Sequence, residues 1–279
     1  MKKIVLTGAS GALGTQLRAP LAAMCDALVS LDIVPLTSDA LANETFTEVD
    51  VADLDAVTDA TAGADAIVHF AAIPDERPFE TLLGPNFLGA YNVWEAAYRN
   101  DVRRVVYASS IHAVGMYAKT DFVGIDAPHR PDTYYGLAKC FAEDIGRMYW
   151  EKRGIEAVCL RICSCTEKPG NARALGTWLS YPDLVHLVTR ALDTPTVEFS
   201  IVYGMSNHDR VPLDNAAASF LGFRPKDNAE DYADTILAAA PSADPEDPGE
   251  VCVGGPFASV PLGESGVAGI QAASVKGDD

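Results

Sequence analysis

The stretch TYYGLAKCFAED contains a tyrosine and a lysine, Tyr135 and Lys139, at the spacing of an acid–base pair. If this stretch is helical, residues four apart share a face, so only Tyr135 of the two adjacent tyrosines holds its phenol beside the ammonium group. A neighbouring positive charge favours the phenolate, which would make the tyrosine a usable base near neutral pH. Tyr134 is predicted to pack or to lie at the rim of the site. A pair with this spacing is also common on solvated helix faces.

A glycine-rich turn, TGASGALG, follows the first predicted strand and has glycines at positions 8, 11 and 14. Glycine lets the backbone approach a pyrophosphate, which then meets the free N–H groups of the next helix. The alternative, a plain connector, is disfavoured by an acid at the end of the second strand, Asp32. Its carboxylate is placed to accept hydrogen bonds from both adenosine ribose hydroxyls and to repel a 2′-phosphate. The turn therefore predicts dinucleotide binding, with NAD preferred over NADP.

The elements that must position these residues alternate between short apolar strands and helices. Strands are predicted at KKIVLT, ALVSLD, TFTEVDV, ADAIVHFAA, RRVVYASS, EAVCLRI and EFSIVYG, and helices at DLDAVTDATAG, 81–100, 134–153 and 182–193. This alternation predicts an α/β fold with a doubly wound parallel sheet (Rossmann). We expect one domain over 1–258, with a small C-terminal substrate-binding lobe built from about 164–258. Residues 259–279 hold few large apolar side chains and are expected to form a loosely ordered tail.

The charge and the cysteines exclude several classes of function. Acidic residues exceed basic ones, 39 to 21, for a formal net charge of −18, which would repel nucleic acid. No apolar run is long enough to span a membrane, and the opening MKKIVLTG is too short for a signal peptide, so a cytoplasmic protein is expected. The six cysteines have neither disulfide nor metal-ligand spacing, and Cys163 and Cys165 lack a third ligand nearby. No metal is predicted.

The glycine turn combined with YxxxK resembles the short-chain dehydrogenase/reductase superfamily, and in particular its extended branch, over nearly the whole chain. Ser110, in YASSIHAVG, stands twenty-five residues before Tyr135, at the spacing of that superfamily's catalytic serine. The resemblance implies that Ser110 orients the substrate hydroxyl, Tyr135 removes its proton and Lys139 lowers the pKa of Tyr135. It also implies that Asn86 helps to orient the lysine.

Several stretches resemble the uronate dehydrogenases, a compact family of this branch: ASSIHAVG, PDTYYGLAKCFAEDIGRMY, RICSCTEKPGNARALGTW, FLGFRPKDNAE and GGPF. The resemblance implies NAD-dependent oxidation of cyclic D-glucuronate or D-galacturonate at C1, which yields an aldarolactone. It assigns Arg173 to the sugar carboxylate, Phe257 to the cover of the pocket and Cys165 to the nicotinamide. Pro74 and Ile111 stand where that family has a serine and an asparagine, so affinity or sugar preference is expected to differ.

The predicted site residues fall into three sets. The catalytic set is Ser110, Tyr135, Lys139 and Asn86. The substrate set is Ser110, Ile111, His112, Tyr135, Ser164, Arg173 and Phe257. The cofactor set is Gly8, Gly11, Ala12, Leu13, Gly14, Asp32, Asp50, Val51, Phe70, Ala71, Ala72, Tyr135, Lys139 and Cys165.

Two of these side chains have an alternative interpretation, and one further histidine is expected to have a structural role. Asp50 is placed to reach the adenine edge, whereas Asp53 fits a helix N-cap better. His112 has the alternative of a capping or packing role. His69, on the fourth strand, is expected to be a buried core histidine.

Two other functions stay open on the sequence alone. The first is a nucleotide-sugar epimerase or reductase, but such enzymes need a sizeable C-terminal lobe, and only residues 140–279 follow Lys139. The second is a dinucleotide-sensing regulator without activity, although such sensors commonly lack the tyrosine and the lysine. A small sugar acid is therefore the favoured partner, and a homo-oligomer is expected.

Overall fold

A seven-stranded parallel sheet forms the centre of the computed structural model, which describes residues 1–211, 213–240 and 244–267. The strands are β1 (Lys3–Thr7), β2 (Ala27–Asp32), β3 (Glu44–Glu48), β4 (Ala66–His69), β5 (Arg104–Ser110), β6 (Val123–Gly124), β7 (Glu156–Ile162), β8 (Ser164–Cys165), β9 (Trp178–Leu179), β10 (Phe199–Gly204) and β11 (Leu213–Asp214). The central sheet has the order β10-β7-β5-β4-β1-β2-β3, while β6 pairs with β11 and β8 with β9. The order reverses beside β1, so the predicted doubly wound Rossmann fold is confirmed.

Helices cover both faces of this sheet. They are α1 (Ala12–Ala22), α2 (Leu54–Thr61), α3 (Phe79–Leu82), α4 (Gly89–Arg99), α5 (Tyr134–Arg153), α6 (Tyr181–Asp193), α7 (Ala233–Ala239) and α8 (Pro248–Val251). Short 3₁₀ turns lie at Ile111–Val114, Ala174–Gly176, Ala216–Leu221, Ala229–Tyr232 and Gly255–Ala258.

Two apolar cores lie on opposite faces of the sheet. Val106 packs in the core that α1 and α6 cover, whereas its neighbour Val105 packs with Trp94 and Tyr149 under α4 and α5. Successive strand residues point to opposite faces, so a strand covered on both sides is apolar at every position. This explains why the central strands read as unbroken apolar runs.

The long helical segment predicted over 81–100 is present, but it is not one regular α-helix. The structure has α3, then a π-helical segment at Leu83–Leu88, and only then α4. Pro85 has no N–H to donate to the helical ladder, which favours the wider turn. Within it the side-chain amide of Asn86 accepts from the Ile73 N–H at 2.9 Å and donates to the Ile73 carbonyl at 3.0 Å. The segment thereby fixes the chain that follows β4.

Helix α5 begins and ends where it was predicted. Thr133 caps it by accepting a hydrogen bond from the Gly136 N–H, and the buried carboxylate of Glu76 accepts one from the Tyr135 N–H at 2.8 Å. These bonds satisfy two of the N–H groups that a helix leaves free at its start. Gly154 ends the helix with a φ of 73°, which suits glycine. The tyrosine is therefore held at the first turn of a fixed helix.

The C-terminal part of the chain is joined closely to the rest. Residues 164–258 supply β8, β9 and β11, but also α6 and β10 of the central fold. Within the predicted tail, the Gly263 N–H donates to Glu76 at 2.8 Å and the Val267 N–H to Asp75 at 3.1 Å. The remainder of the predicted tail, 268–279, lies outside the described residues. None of the helices described is both long and apolar enough to cross a bilayer.

Candidate active site

The predicted site residues gather at one edge of the central sheet. The glycine turn follows β1, Asp32 ends β2, Asp50 follows β3, and 70–72 follow β4. Ser110 ends β5 and Cys165 follows β7. All of these strands are parallel, so their carboxyl ends meet at the same edge, which is where open α/β sheets bind ligands.

The three glycines of the first turn serve different purposes. Gly8 has a φ of 74°, and a side chain there would come within 2.6 Å of the Ala71 nitrogen. At Gly14 an added Cβ would lie 1.9 Å from the Gly8 carbonyl oxygen, so the turn and α1 could not pack. Gly11 is exposed and an added Cβ would meet only the Gly8 oxygen, at 3.3 Å. Packing thus requires glycine at 8 and 14, whereas a side chain at 11 would make one tight contact at an exposed position.

The start of α1 fits a pyrophosphate. The helix begins at Ala12 after Gly11, has no side-chain cap, and has Leu13 half-buried in its first turn. Free N–H groups and the positive end of the helix dipole favour an anion at such a terminus. The turn and α1 together therefore fit the diphosphate of a dinucleotide.

The carboxylate of Asp32 is fixed at the end of β2. It accepts hydrogen bonds from the Ser10 N–H at 2.9 Å and the Val34 N–H at 3.2 Å. Each carboxylate oxygen has a second lone pair, so both can still accept from ribose hydroxyls. Asp50 is exposed at the end of β3 beside the buried Val51, whereas Asp53 caps α2 by accepting from the Ala56 N–H. This geometry fits the adenosine half of NAD.

The chain after β4 forms the next wall of the site. Phe70 and Ala71 donate their N–H groups to the hydroxyl of Thr7, at 3.2 and 3.1 Å, and Ala72 is half-buried beside them. The same hydroxyl lies 2.7 Å from Nδ1 of His69, which is buried. Burial, and then the charge of Lys139, lower the pKa of His69 to about 3, so it is a neutral core histidine.

Ser110, Tyr135 and Lys139 meet where β5 ends beside α5. The Lys139 ammonium lies 5.3 Å from the centre of the Tyr135 ring, and all three side chains are buried. Burial raises the pKa of Tyr135 to about 12, and the Asp132 and Asp75 carboxylates add to this rise. A hydrogen bond with Ser110 opposes the rise. Without a cofactor, burial therefore sets this pKa, and the lowering predicted from Lys139 together with the charged nicotinamide ring stays a prediction.

Lys139 is held by the backbone of β5. Its Nζ donates to the Ala108 carbonyl at 2.7 Å, and burial lowers its pKa to about 7, with the Glu143 carboxylate opposing that shift. The amide of Asn86 is bonded to Ile73 and not to the ammonium group. Lys139 therefore changes charge near neutral pH beside the tyrosine.

His112 is the centre of an aromatic cluster beside Tyr135. Its ring stacks on Phe257 at 4.1 Å and 26° and meets the Tyr135 ring edge-on at 5.7 Å. Its Nδ1 lies 2.7 Å from the buried carboxylate of Asp132. The cluster joins the loop after β5, helix α5 and the C-terminal segment at one point.

The guanidinium of Arg173 uses only some of its hydrogen-bond donors within the described protein. Its Nη1 donates to the hydroxyl of Ser164 at 3.1 Å and its Nη2 to the Val253 carbonyl at 2.9 Å, while its Nε is buried without a partner. Burial lowers its pKa, Cys163 and the Asp132 carboxylate oppose that shift, and within the described residues no carboxylate is close enough to form an ion pair with it. Gly255 packs against it, since an added Cβ would lie 2.0 Å from Nε. The arrangement fits a negatively charged ligand.

The remaining predicted positions differ in accessibility. Ile111 is 1% exposed in an apolar cluster with Val114 and Tyr203, so its side chain offers nothing to a sugar hydroxyl. Pro74 is exposed after β4, and Cys165 is half-buried on β8, where burial raises its pKa to about 12. Over the described parts of the chain no cluster of His, Cys, Asp or Glu is suited to a metal.

Two buried carboxylates of the site were not predicted from the sequence. Glu76 binds the first turn of α5, and Asp132 binds His112. For Asp132 a signal existed, because it directly precedes the helix cap Thr133 and so had to lie near the tyrosine. For Glu76 there was none, since its partner lies 59 residues away.

The chain is similar to known enzymes over most of its length. A model of the NAD dependent epimerase/dehydratase family matches residues 4–166. A uronate dehydrogenase of Pseudomonas putida is 44% identical, over 92% of this chain and 95% of that one. A solved mutated uronate dehydrogenase is 38% identical, with a TM-score of 0.91 over 98% of both chains.

A solved mutant of the Agrobacterium tumefaciens uronate dehydrogenase, complexed with NAD, is 42% identical, with a TM-score of 0.89 over 94% of this chain and 98% of that one. The agreement thus extends beyond the dinucleotide-binding half to the residues that follow β7. The chain therefore belongs to the NAD-dependent epimerase/dehydratase family and, within it, to the uronate dehydrogenases.

Proposed function

We propose that the chain oxidises a cyclic uronic acid, D-glucuronate or D-galacturonate, at C1 and reduces NAD to NADH, with an aldarolactone as the other product. The oxidoreductase activity and the cofactor follow from the family. The choice of substrate rests on the guanidinium of Arg173, whose buried Nε has no partner in the described protein, in a chain of formal charge −18. Such a protein repels a sugar acid unless a local cation holds it.

The cofactor is held by the glycine turn and by Asp32. Bound NAD supplies the acceptor for the hydride that leaves C1 and a positive charge that favours the Tyr135 phenolate. Replacing the carboxylate of Asp32 is expected to weaken the ribose contacts on which the choice of NAD over NADP rests. No side chain of the turn, TGASGALG, is cationic, so the turn offers no side-chain charge to balance a 2′-phosphate.

The proton transfer falls to Tyr135. Ser110 and Tyr135 share a hydrogen bond, so both hydroxyls can face one substrate oxygen. The C1 hydroxyl gives its proton to the phenolate while its carbon loses the hydride, and the C–O bond becomes the carbonyl of the lactone. Burial raises the pKa of Tyr135 to about 12 in the protein without NAD, so formation of the phenolate depends on the positive charges beside it. Lys139, with a pKa of about 7, stabilises that anion when protonated.

The carboxylate of the sugar is assigned to Arg173. A guanidinium presents five N–H donors in a planar fork that matches a carboxylate. Its bonds to Ser164 and Val253 hold the group in place before a ligand arrives. Val253 is four residues before Phe257, which stacks on His112, so one short segment joins the cation to the reacting side chains.

We also propose that the protein is a cytoplasmic homo-oligomer. Large apolar side chains remain exposed on two neighbouring helical segments, at Leu83, Leu88, Tyr91 and Tyr98 before and in α4, and at Leu137 and Met148 in α5. A second copy would cover such a face. All six cysteines are free, as expected in a reducing compartment. Light scattering coupled to gel filtration measures the mass, and a monomer would contradict this proposal.

The proposed reaction is tested by following NADH absorbance with free uronates, neutral hexoses and nucleotide sugars. Net NADH formation with glucuronate or galacturonate is expected. An epimerase returns its hydride to the substrate and accumulates no NADH, so conversion of a nucleotide sugar without NADH would favour that alternative. Binding of NAD without turnover of any sugar would favour a sensor.

A further inference from the structure

A buried aspartate, Asp132, is bonded to His112. Its side chain has no solvent exposure, and its Oδ2 lies 2.7 Å from Nδ1 of the imidazole. Its Oδ1 accepts a hydrogen bond from the hydroxyl of Thr133, the cap of α5, at 2.8 Å. Over the described residues, His112 is its one hydrogen-bonded partner that could carry a positive charge, and the buried Arg173 guanidinium also attracts it. The carboxylate therefore depends on this imidazole and on a helix cap.

Three glycines from separate segments make room for this carboxylate. An added Cβ at Gly115 would lie 1.9 Å from Oδ2, and one at Gly254 would lie 2.0 Å from the same atom. At Gly136 an added Cβ would lie 3.0 Å from Oδ1. The glycines belong to the loop after β5, to the C-terminal segment and to α5. The packing thus holds the carboxylate closely in one position.

The carboxylate decides which nitrogen of His112 carries the proton. Its oxygens only accept hydrogen bonds, so Nδ1 must be the donor, and Nε2 of the neutral ring has a free lone pair. Stacking on Phe257 and the edge contact with Tyr135 fix the plane of the ring. The imidazole is therefore held in one orientation and one tautomer beside the proposed base.

We propose that Asp132 is a positioning residue, which makes Nε2 of His112 the acceptor for one hydroxyl of the sugar acid. The site then reads that hydroxyl as a hydrogen-bond donor and discriminates against a sugar that lacks it. This inference rests on the proposed function, because it concerns the same substrate. Asp132 acts on the sugar through the imidazole, since its oxygens are committed to His112 and Thr133, while its charge also raises the pKa of Tyr135.

The variant Asp132→Asn tests the inference with little change in shape. Its amide can donate to Nδ1, which would move the ring proton to Nε2 and turn the acceptor into a donor. We expect KM for uronates to rise about tenfold, the value of one hydrogen bond, whereas kcat should not fall, because the lost charge is one that raises the pKa of Tyr135. The matched control is Asp126→Asn, which removes an equal charge from an exposed position in the same loop and should leave both constants unchanged.

A double-mutant cycle with His112→Ala separates positioning from general support of the fold. If Asp132 acts through the imidazole, Asp132→Asn adds no further rise in KM to the His112→Ala variant. Additive losses would overturn the proposal. So would a loss of kcat in Asp132→Asn that tracks a lower melting temperature, since that is the result of a structural role alone.

A second measurement does not depend on activity. Long-range ¹H–¹⁵N spectra of the holoprotein distinguish the two tautomers of a neutral histidine. The wild type is expected to show an unprotonated Nε2 at His112, and Asp132→Asn a protonated one. A protonated Nε2 in the neutral wild-type ring would overturn the proposal even if the variant did not fold. If instead the wild type forms no NADH from uronates, the proposed function fails, while the spectra still decide the tautomer.

Discussion

Replacement of Arg173 by alanine tests whether its guanidinium binds the carboxylate of the substrate. The side chain is held by Ser164 and Val253, and its Nε has no partner in the described protein. A charge-assisted hydrogen bond contributes about 1.5–3 kcal/mol. At about 1.4 kcal/mol for each factor of ten, the variant should raise KM for glucuronate and galacturonate by about 10- to 150-fold.

The Arg173→Ala variant should lose little stability as the free protein and more as the complex with a sugar acid. Removal of Arg173 breaks two hydrogen bonds to uncharged groups, but it also removes a buried cation that no carboxylate of the described residues pairs with. We therefore expect a small change in melting temperature. Stabilisation of the NAD complex by a non-reacting sugar acid, in contrast, should be strong in the wild type and lost in the variant.

The assay is the initial rate of NADH formation with two uronates and two neutral hexoses. Arg173→Lys should recover only part of the loss, because an ammonium group cannot bind a carboxylate with a planar fork. Lys168→Ala is the matched control, since Lys168 is an exposed cation in the same segment. Weak oxidation of glucose or galactose should be nearly unchanged in all three variants. Equal losses on uronates and neutral hexoses would refute the reasoning and would assign Arg173 to support of the loop.

Three further predictions concern the base, the cofactor and the scaffold. Tyr135→Phe should retain NAD binding and lower turnover by at least about 100-fold, while Tyr134→Phe should keep most activity. Asp32→Asn should narrow the preference for NAD over NADP, chiefly by weakening NAD binding, as measured by the ratio of the two kcat/KM values. Burial disfavours the charge of Glu44, but hydrogen bonds from its partners outweigh this and lower its pKa to about 2. Because this pKa is depressed, Glu44 contributes roughly 3 kcal/mol to the free energy of unfolding. This contribution is present above about pH 5 and is lost as the pH falls towards 2. Glu44→Gln should therefore flatten the acid side of the curve of unfolding free energy against pH.

Each of these predictions has a contrary outcome. If Tyr134→Phe were inactive and Tyr135→Phe active, the assignment of the base on α5 would be wrong. An unchanged preference ratio in Asp32→Asn would remove this carboxylate from the adenosine site. If Glu44→Gln kept the same acid dependence as the wild type, the stability lost at low pH would come from other carboxylates.

The elements that depend on local sequence were predictable. The sheet, the glycine turn and both ends of α5 follow from apolar periodicity, from glycine spacing and from the residues that begin and end helices. The cap Thr133 and the terminal Gly154 act within a few residues of the helix they bound. NAD as the cofactor is confirmed by the family. Such features are set by neighbours in the chain, so one sequence suffices to predict them.

Features set by distant neighbours were not predictable. The bond from the Tyr135 N–H to Glu76 joins residues 59 apart, and the bond from Gly263 to the same carboxylate joins residues 187 apart. The raised pKa of Tyr135 results from burial, and spacing along a helix does not report burial. The pairing of Asn86 with Ile73 joins the π-helical segment to the loop after β4. These contacts exist only once the sheet has brought its loops together.

The most direct test of the proposed function is the absorbance of NADH when the purified protein, NAD and a free uronate are mixed. We predict a rise equal in amount to the uronate consumed with glucuronate or galacturonate, no comparable rise with a nucleotide sugar, and a rise at least about 100-fold slower with Tyr135→Phe. An absence of net NADH from both uronates, together with turnover of a nucleotide sugar, would contradict the account.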